Sequence, residues 1–176
     1  MRDFAIIVPL FLPGMVVAAV IGLLVAPALA RRLGCRVPVA FLLVISLGLI
    51  AAATLTPVYG AIRDGIVSTG TCDLSRPGWA PLSTYLHVND TSLNVLLFVP
   101  LGISLGLIPG RTGLILAGGA MLLSAAVELT QMLLPVLGRS CQTRDIVDNT
   151  TGLVIGLVIG WLLAAAVGSG RLRTGR

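Results

Sequence analysis

Long apolar runs separated by short polar stretches dominate the chain. Five runs are long enough to predict membrane-spanning helices, over the approximate ranges 4–30, 38–58, 91–108, 113–134 and 145–167. At about 1.5 Å per residue, each run crosses or nearly crosses about 30 Å of hydrocarbon, and the third is the shortest at about 27 Å. The pattern therefore predicts an all-α, polytopic transmembrane bundle of five helices.

The composition indicates the same class of protein. The chain has 176 residues and a mean hydropathy of +1.03, and only 11% of its residues are charged. A soluble domain of this size does not bury so much apolar surface. We expect residues 1–176 to form a single membrane domain in contact with the lipid bilayer. The net charge of +5 comes from arginines in loops and in the C-terminal tail, so we expect no nucleic-acid partner.

The arginines also predict the orientation of the bundle. If the N-terminus lies outside, seven of the twelve arginines are cytoplasmic, including the clusters at 31–36 and 171–176. The other five then lie outside, namely Arg2, Arg63, Arg76, Arg139 and Arg144. Because cytoplasmic loops favour basic residues, we expect an outer N-terminus and a cytoplasmic C-terminus.

Two segments have a second interpretation. The first apolar run ends in Ala28-Leu29-Ala30, which resembles a signal-peptidase site. A helix is favoured, because the run is about twice as long as a signal-peptide core and cleavage would leave the 31–36 cluster outside. The outer loop 59–90 contains Trp79, Tyr85 and His87. Its aromatic residues are interpreted as headgroup-zone residues rather than as a platform for a substrate.

The scarce charged residues concentrate between positions 128 and 152. Glu128 and Gln131 are three residues apart and share a helix face. Glu128 lies about 9 Å inside the outer end of its helix, where an isolated carboxylate costs several kcal/mol. Its side chain must therefore be protonated, be paired, or face a wet cavity. Arg139 and Arg144 are the nearest basic residues in the sequence.

The last helix carries a polar end and a stripe of small residues. Asp145 begins the helix, where the helix dipole favours a negative charge, and Asn149 follows on the same face. Gly152, Gly156 and Gly160 continue this face at spacings that allow a neighbouring helix to approach closely. The spacing therefore predicts that Asp145 and Asn149 are held against a partner helix.

Together with Asn94, near the outer end of the third helix, these polar residues form one predicted cluster in the outer leaflet. It is a candidate ligand-binding site, and Glu128 and Asp145 are its candidate catalytic residues. The alternative is that the cluster only joins helices by hydrogen bonds. The candidate ligand-binding residues are Asn94, Glu128, Gln131, Arg139, Arg144, Asp145 and Asn149.

The three cysteines fall on different sides of the membrane in the predicted orientation. Cys35 is cytoplasmic, whereas Cys72 and Cys141 lie outside in different loops. An oxidising exterior allows a Cys72–Cys141 disulfide that would hold the outer loop over the polar cluster. One histidine and three separated cysteines do not make a zinc site, so we expect no metal and no cofactor.

Several stretches resemble the VanZ-like family of bacterial membrane proteins: NVLLFVPLG at 94–102, ELTQ at 128–131 and GRSCQTRDIVDNTTG at 138–152. The resemblance extends over about 90–162 and includes the end of the second helix at 54–57. It implies a small helical membrane domain. The family's signature positions would be Asn94, Pro100, Gly102, Glu128, Gln131, Arg139, Asp145, Asn149 and Gly152. One position departs from the family, because Gln142 stands where members often carry an acid.

The resemblance implies a cell-envelope function, because the family's name-giver is associated with resistance to the glycopeptide teicoplanin. The first hypothesis is that the cluster binds an anionic lipid headgroup, a lipid-linked wall precursor or the glycopeptide itself, with Arg139 and Arg144 holding phosphate or carboxylate. The second is an intramembrane enzyme on lipid-linked substrates, with Glu128 as general acid or base. The third is a structural subunit. Each implies a multi-pass protein of the cell membrane.

Overall fold

The computed structural model of the protein describes residues 8–65, 67–75 and 78–173, and it describes side chains as far as residue 167. Residues 4–7 of the first predicted helix lie outside this part. So do Arg2, Arg76 and Arg176 and the side chains of Arg171 and Arg173, which the orientation argument used. The structural findings below refer to the described residues.

Helices make up most of the described chain, and the predicted all-α helical membrane bundle is confirmed. The helices are α1 (Phe11–Leu33), α2 (Val37–Thr54), α3 (Tyr59–Asp64), α4 (Leu82–Tyr85), α5 (Asp90–Gly106), α6 (Gly110–Leu133) and α7 (Thr143–Arg173). A 3₁₀ turn at Pro135–Leu137 follows α6, and two short strands complete the fold: β1 (Cys72–Asp73) and β2 (Cys141–Gln142).

Four helices in the described part of the chain are long and apolar enough to cross a membrane: α1, α2, α6 and the Thr143–Val167 portion of α7. Each predicted segment contains one long helix, but α5 has only 17 residues and is shorter than the other four. Five membrane crossings therefore remain a prediction. The bundle itself does not depend on that count, because α5 packs against α2, α6 and α7.

The beginning of α5 is fixed by a reciprocal pair of hydrogen bonds. The Ser92 backbone N–H donates to Asn89 Oδ1 at 3.1 Å, and the Asn89 N–H donates to Ser92 Oγ at the same distance. Such a capping box satisfies backbone donors that have no partner within the helix. It places Asp90 and Asn94 in the first turns of α5, beside the start of α7.

Glycines allow α5 and α7 to pack backbone against backbone. A Cβ atom added at Gly106 would lie 2.9 Å from the Cα atom of Gly160, and one added at Gly156 would lie 2.9 Å from the Cα atom of Gly102. A Cβ atom at Gly152 would collide with the backbone oxygen of Val95. The close partner predicted from the glycine spacing is thus confirmed, and it is α5.

The core is built around this pair of helices. Phe98 and Leu101 of α5 are almost completely buried, as are Leu153 of α7, Val127 of α6 and Ile50 of α2. Many leucines of α1, by contrast, point outward, as expected of a surface that meets lipid hydrocarbon rather than water. The inner helix α5 therefore contacts protein on much of its surface.

The loop predicted at 59–90 lies against the end of the bundle. Strand β1 pairs in parallel with β2, with Cys72 opposite Cys141, and the two cysteines form a disulfide with a Cα–Cα distance of 4.5 Å. The Thr143 hydroxyl donates to the Asp73 carbonyl at 3.1 Å. These contacts hold the loop beside the first residues of α7.

Candidate functional site

The two ends of the bundle carry different residues. At one end, α2 and α6 finish while α5 and α7 begin, so these helix ends bring the predicted polar cluster together. At the other end lie Arg31 and Arg32 in the last turn of α1, Arg36 before α2, and Arg111 in the first turn of α6. The first of these ends is called the pocket end below.

A cavity of about 500 Å³ opens at the pocket end. Six of the seven candidate ligand-binding residues line it: Asn94, Glu128, Gln131, Arg139, Asp145 and Asn149. Arg144 does not line it. Asp90 and Gln142 add further polar groups to the wall, whereas the apolar part consists of Val8, Phe11, Leu49, Ala53, Val58, Leu93, Leu96 and Leu97. The cavity is therefore lined by both polar and apolar side chains.

Glu128 is 3% exposed and is held by the backbone, not by an arginine. The Gln142 N–H donates to Glu128 Oε2 at 2.9 Å. Among the described residues, the only ion pair within 4.0 Å joins Arg63 and Asp64, so neither Arg139 nor Arg144 pairs with Glu128 at this distance. The short strand β2 makes this arrangement possible, because it contacts α6 and brings the Gln142 amide to Glu128.

Gln131 and Arg139 both bind the end of α2. Gln131 Nε2 donates to the Thr54 carbonyl at 3.0 Å, and Arg139 Nε donates to the Thr56 carbonyl at 3.1 Å. Carbonyls at the end of a helix lack partners within the helix, so these bonds satisfy acceptors that would otherwise be buried unpaired. Both side chains therefore have a structural role at the end of α2.

The Arg139 guanidinium keeps an unused donor. Its Nη2 atom is buried and has no hydrogen-bond partner. Burial lowers the pKa of Arg139, an effect that the nearby Asp90 carboxylate opposes. Arginine nonetheless remains charged in proteins. A buried cationic group with a free N–H is therefore part of the cavity wall.

Asn94, Asp145 and Asn149 connect α5 with α7. The Asn94 side chain interacts with the Asp145 carboxylate. Asn149 is 1% exposed, and its buried Oδ1 atom accepts no hydrogen bond. The cavity thus contains a buried acceptor without a donor as well as a buried donor without an acceptor.

A second polar contact lies beside the cavity, and the sequence did not predict it. Asp148 is fully buried, and its Oδ1 atom accepts a hydrogen bond from the Tyr85 hydroxyl at 2.6 Å. Burial raises the pKa of Tyr85, and the bond to Asp148 raises it further. The charge of Arg144 acts on Asp145, Asp148 and Tyr85. This arginine therefore lies near the hydrogen bond between Tyr85 and Asp148 and does not line the cavity.

Trp79 of the outer loop also binds α7. Trp79 Nε1 donates to Thr151 Oγ1 at 3.0 Å, although the Trp79 side chain remains largely exposed. Tyr85 and Trp79 therefore attach the loop to the first turns of α7. No spacing rule in the sequence pairs these aromatic residues with partners more than 60 positions away.

Within the described ranges, no three His, Cys, Asp or Glu side chains are grouped so that they could hold a metal ion. The chemical capacity of the cavity lies in its charged and amide groups. These are three carboxylates, on α5, α6 and α7, the Arg139 guanidinium between α6 and α7, and the amide side chains of Asn94, Gln131, Gln142 and Asn149.

A bundle of apolar helices with a charged cavity at one end defines a helical membrane protein. The VanZ/LLP1 family model matches residues 61–164, which is more than half of the chain, so the chain belongs to the VanZ/LLP1 family. The matched region contains the outer loop, α5, α6 and the cavity-lining part of α7. Neither the curated proteins nor the solved structures contain a match to the chain.

Proposed function

We propose that this chain is a multi-pass protein of the cell membrane whose cavity binds the charged headgroup of an amphiphile in the outer leaflet. We further propose that this binding lowers the action of teicoplanin. The observation that supports the proposal best is the composition of the cavity, in which charged and amide side chains and apolar side chains line the same space of about 500 Å³. A molecule with a charged head and a hydrocarbon chain matches both kinds of lining.

The unsatisfied atoms support binding rather than mere helix contact. A purely structural network would be expected to satisfy its own buried donors and acceptors, because each unpaired group costs about 1–3 kcal/mol. Here Arg139 Nη2 and Asn149 Oδ1 of the cavity lining are both buried without a partner, as are Arg144 Nε and Asp148 Oδ2 beside it. A ligand that supplies the missing partners would recover this cost.

The distribution of arginines supports the outer location. Arg31, Arg32, Arg36 and Arg111 lie at the end of the bundle opposite the cavity. The positive-inside rule assigns that end to the cytoplasm. The cavity then faces the outer leaflet, where lipid-linked wall precursors and glycopeptides meet the membrane.

Teicoplanin susceptibility tests the proposal directly. Wild-type protein and the variants Arg139→Ala and Glu128→Ala would be expressed in a sensitive host, and the minimum inhibitory concentration would be measured together with the amount of protein in the membrane. We expect the wild type to raise the inhibitory concentration and both variants to lose most of the increase at equal protein amount. Arg63→Ala is the matched control, because Arg63 is exposed, lies outside the cavity lining, and contacts only the nearby Asp64 and Tyr59 among the described residues.

An unchanged inhibitory concentration with wild-type protein would reject the resistance proposal. A loss of activity that only follows a loss of protein from the membrane would instead favour a structural subunit.

A second candidate function is an intramembrane enzyme. The observation that favours it is that the carboxylates of Glu128 and Asp145 line one cavity, where one group could donate a proton and the other accept one. Lipid profiling of a deletion strain tests this. Accumulation of one lipid, reversed by the wild type but not by Glu128→Gln, would support catalysis, whereas an unchanged lipid profile would contradict it.

A further inference from the structure

The charges of the cavity wall do not match a purely anionic ligand. One cationic side chain, Arg139, lines the cavity together with three acidic side chains: Asp90, Glu128 and Asp145. Arg144 stands outside the lining; its charge acts on Asp145, which leaves Asp90 and Glu128 to face the headgroup without it. A headgroup with only negative charge would gain one favourable partner and face several carboxylates, which raises its energy in a site of low polarity.

The hydrogen-bonding atoms indicate the same mismatch independently of charge. Arg139 Nη2 is a buried donor that needs an acceptor, whereas Asn149 Oδ1 is a buried acceptor that needs a donor. Asn149 is 1% exposed and belongs to the cavity lining, so an occupant of that space is a natural source of its donor. A ligand that satisfies both atoms must carry an acceptor and a donor in the same headgroup.

A primary ammonium group beside a phosphate has these properties. An ammonium offers three N–H donors and a positive charge, and a phosphate offers several acceptors and a negative charge. The phosphate would pair with Arg139, and the ammonium would donate to Asn149 Oδ1 and face the acidic side chains. The apolar lining residues, which include Phe11, Leu93 and Leu97, would contact the hydrocarbon chain.

We propose that the cavity selects a zwitterionic amphiphile, one whose headgroup carries a primary ammonium next to a phosphate. This inference rests on the proposed function, since it names the chemical class of the headgroup that the cavity would bind. It predicts weaker binding of lipids whose headgroup carries the phosphate without an ammonium. It also distinguishes primary from quaternary ammonium groups, because a quaternary ammonium has the charge but no N–H for Asn149.

Binding of defined lipids to the purified full-length protein tests the inference. Native mass spectrometry would compare phosphatidylethanolamine, phosphatidylcholine and phosphatidylglycerol with identical chains. We expect phosphatidylethanolamine to bind about tenfold more tightly than phosphatidylglycerol, the size of effect that one charge-assisted hydrogen bond produces. Phosphatidylcholine should fall between them. Soluble phosphoethanolamine separates a free headgroup from a lipid, and we expect it to bind much more weakly, because it lacks the chains that meet the apolar wall.

Variants test which residues bind the phosphate and which bind the ammonium. Asn149→Leu and Glu128→Gln should reduce the preference for phosphatidylethanolamine over phosphatidylglycerol. Arg139→Gln should instead lower the affinity for both lipids by a similar factor. Asn149→Asp retains an acceptor and should preserve or increase the preference. The ratio of two affinities measured on one preparation is insensitive to the fraction of folded protein, and Arg63→Gln serves as the control.

Equal or tighter binding of phosphatidylglycerol would overturn the inference, yet it would leave the proposed headgroup-binding function intact. Unchanged selectivity in Asn149→Leu and Glu128→Gln would also overturn it. If none of the three lipids binds and teicoplanin susceptibility is also unchanged, both the inference and the proposed function fail.

Discussion

Gln142 donates its backbone N–H to Glu128 Oε2 at 2.9 Å, so the buried acid of α6 is held by the residue that follows Cys141 in β2. The disulfide to Cys72 and the Glu128 hydrogen bond therefore act on neighbouring residues of one two-residue strand. The geometry of the cavity and the attachment of the outer loop are coupled through this strand. We therefore expect loss of the disulfide to affect the position of Glu128, and substitution of Glu128 to affect the attachment of the outer loop.

Replacement of Glu128 separates its structural role from its functional role. Glu128→Gln keeps an acceptor for the Gln142 N–H and removes a buried charge, so we expect unfolding stability to be unchanged or increased. Glu128→Leu leaves that N–H without its acceptor and should lose about 1–3 kcal/mol. Thermal unfolding in detergent measures both. A large loss of stability in Glu128→Gln would contradict this account.

The hydrogen bond between Tyr85 and Asp148 predicts that Tyr85→Phe destabilises the protein. The substitution leaves the buried Asp148 carboxylate without its only hydrogen bond, and we expect a loss of about 1.5–3 kcal/mol. Tyr59→Phe is the control, because Tyr59 is exposed. Thermal unfolding of the two variants should differ clearly, and equal stabilities would show that the bond contributes nothing.

The same bond predicts a pH dependence at alkaline pH. Burial, and then the bond to Asp148, raises the pKa of Tyr85 above its ordinary value of about 10. A raised pKa in the folded state means that the stabilisation is complete below about pH 10 and is lost as the pH rises through the folded value. The stability difference between wild type and Tyr85→Phe should therefore shrink above about pH 10, as measured by denaturation at several pH values.

The glycine contacts predict opposite effects for two similar substitutions. At Gly156 a Cβ atom would lie 2.9 Å from the Gly102 Cα atom, whereas at Gly118 of α6 it would meet nothing within 4 Å. We expect Gly156→Ala to lose about 1–3 kcal/mol through overpacking. Gly118→Ala should gain about 0.5–1 kcal/mol, because alanine favours a helix more than glycine. Thermal unfolding distinguishes them, and similar effects at both positions would contradict the close packing of α5 and α7.

The disulfide predicts a further contrast among the cysteines. Replacing both Cys72 and Cys141 with serine should lower stability by about 2–4 kcal/mol, because the unfolded chain loses a long closed loop. Cys35→Ser is the control, since Cys35 is not disulfide-bonded. Mass spectrometry of unreduced protein tests the bond itself. Detection of free thiols at both positions would remove the basis of this prediction.

Periodicity and local spacing predicted the parts of the structure that depend on them. The apolar runs located the long helices, and the spacing of Gly152, Gly156 and Gly160 predicted a close partner, because both signals lie within one segment. The family resemblance, carried by short local motifs, is likewise confirmed. The predicted helix boundaries differ from the observed ones where a capping residue sets the helix end. Asn89, for example, caps α5 so that the helix begins at Asp90.

The contacts that the sequence did not predict join distant segments. Tyr85 and Asp148 are 63 positions apart, and Gln131 reaches a carbonyl 77 positions away. Backbone atoms provide the partners of Glu128, Gln131 and Arg139, and a backbone N–H or carbonyl has no signature in the sequence. Reasoning from side-chain charge therefore favours an arginine as the partner of Glu128. In the structure the partner is the backbone N–H of Gln142.

The glycine contacts between α5 and α7 also set the order in which the cavity can form during synthesis. Asp90 and Asn94 come from α5, whereas Asp145 and Asn149 come from α7, with all of α6 translated in between. While α7 is still inside the ribosome, α5 has neither its glycine neighbour nor the second wall of the cavity. The early helices are therefore synthesised before the site can form, and a nascent chain halted after α6 would lack the α7 side of the cavity.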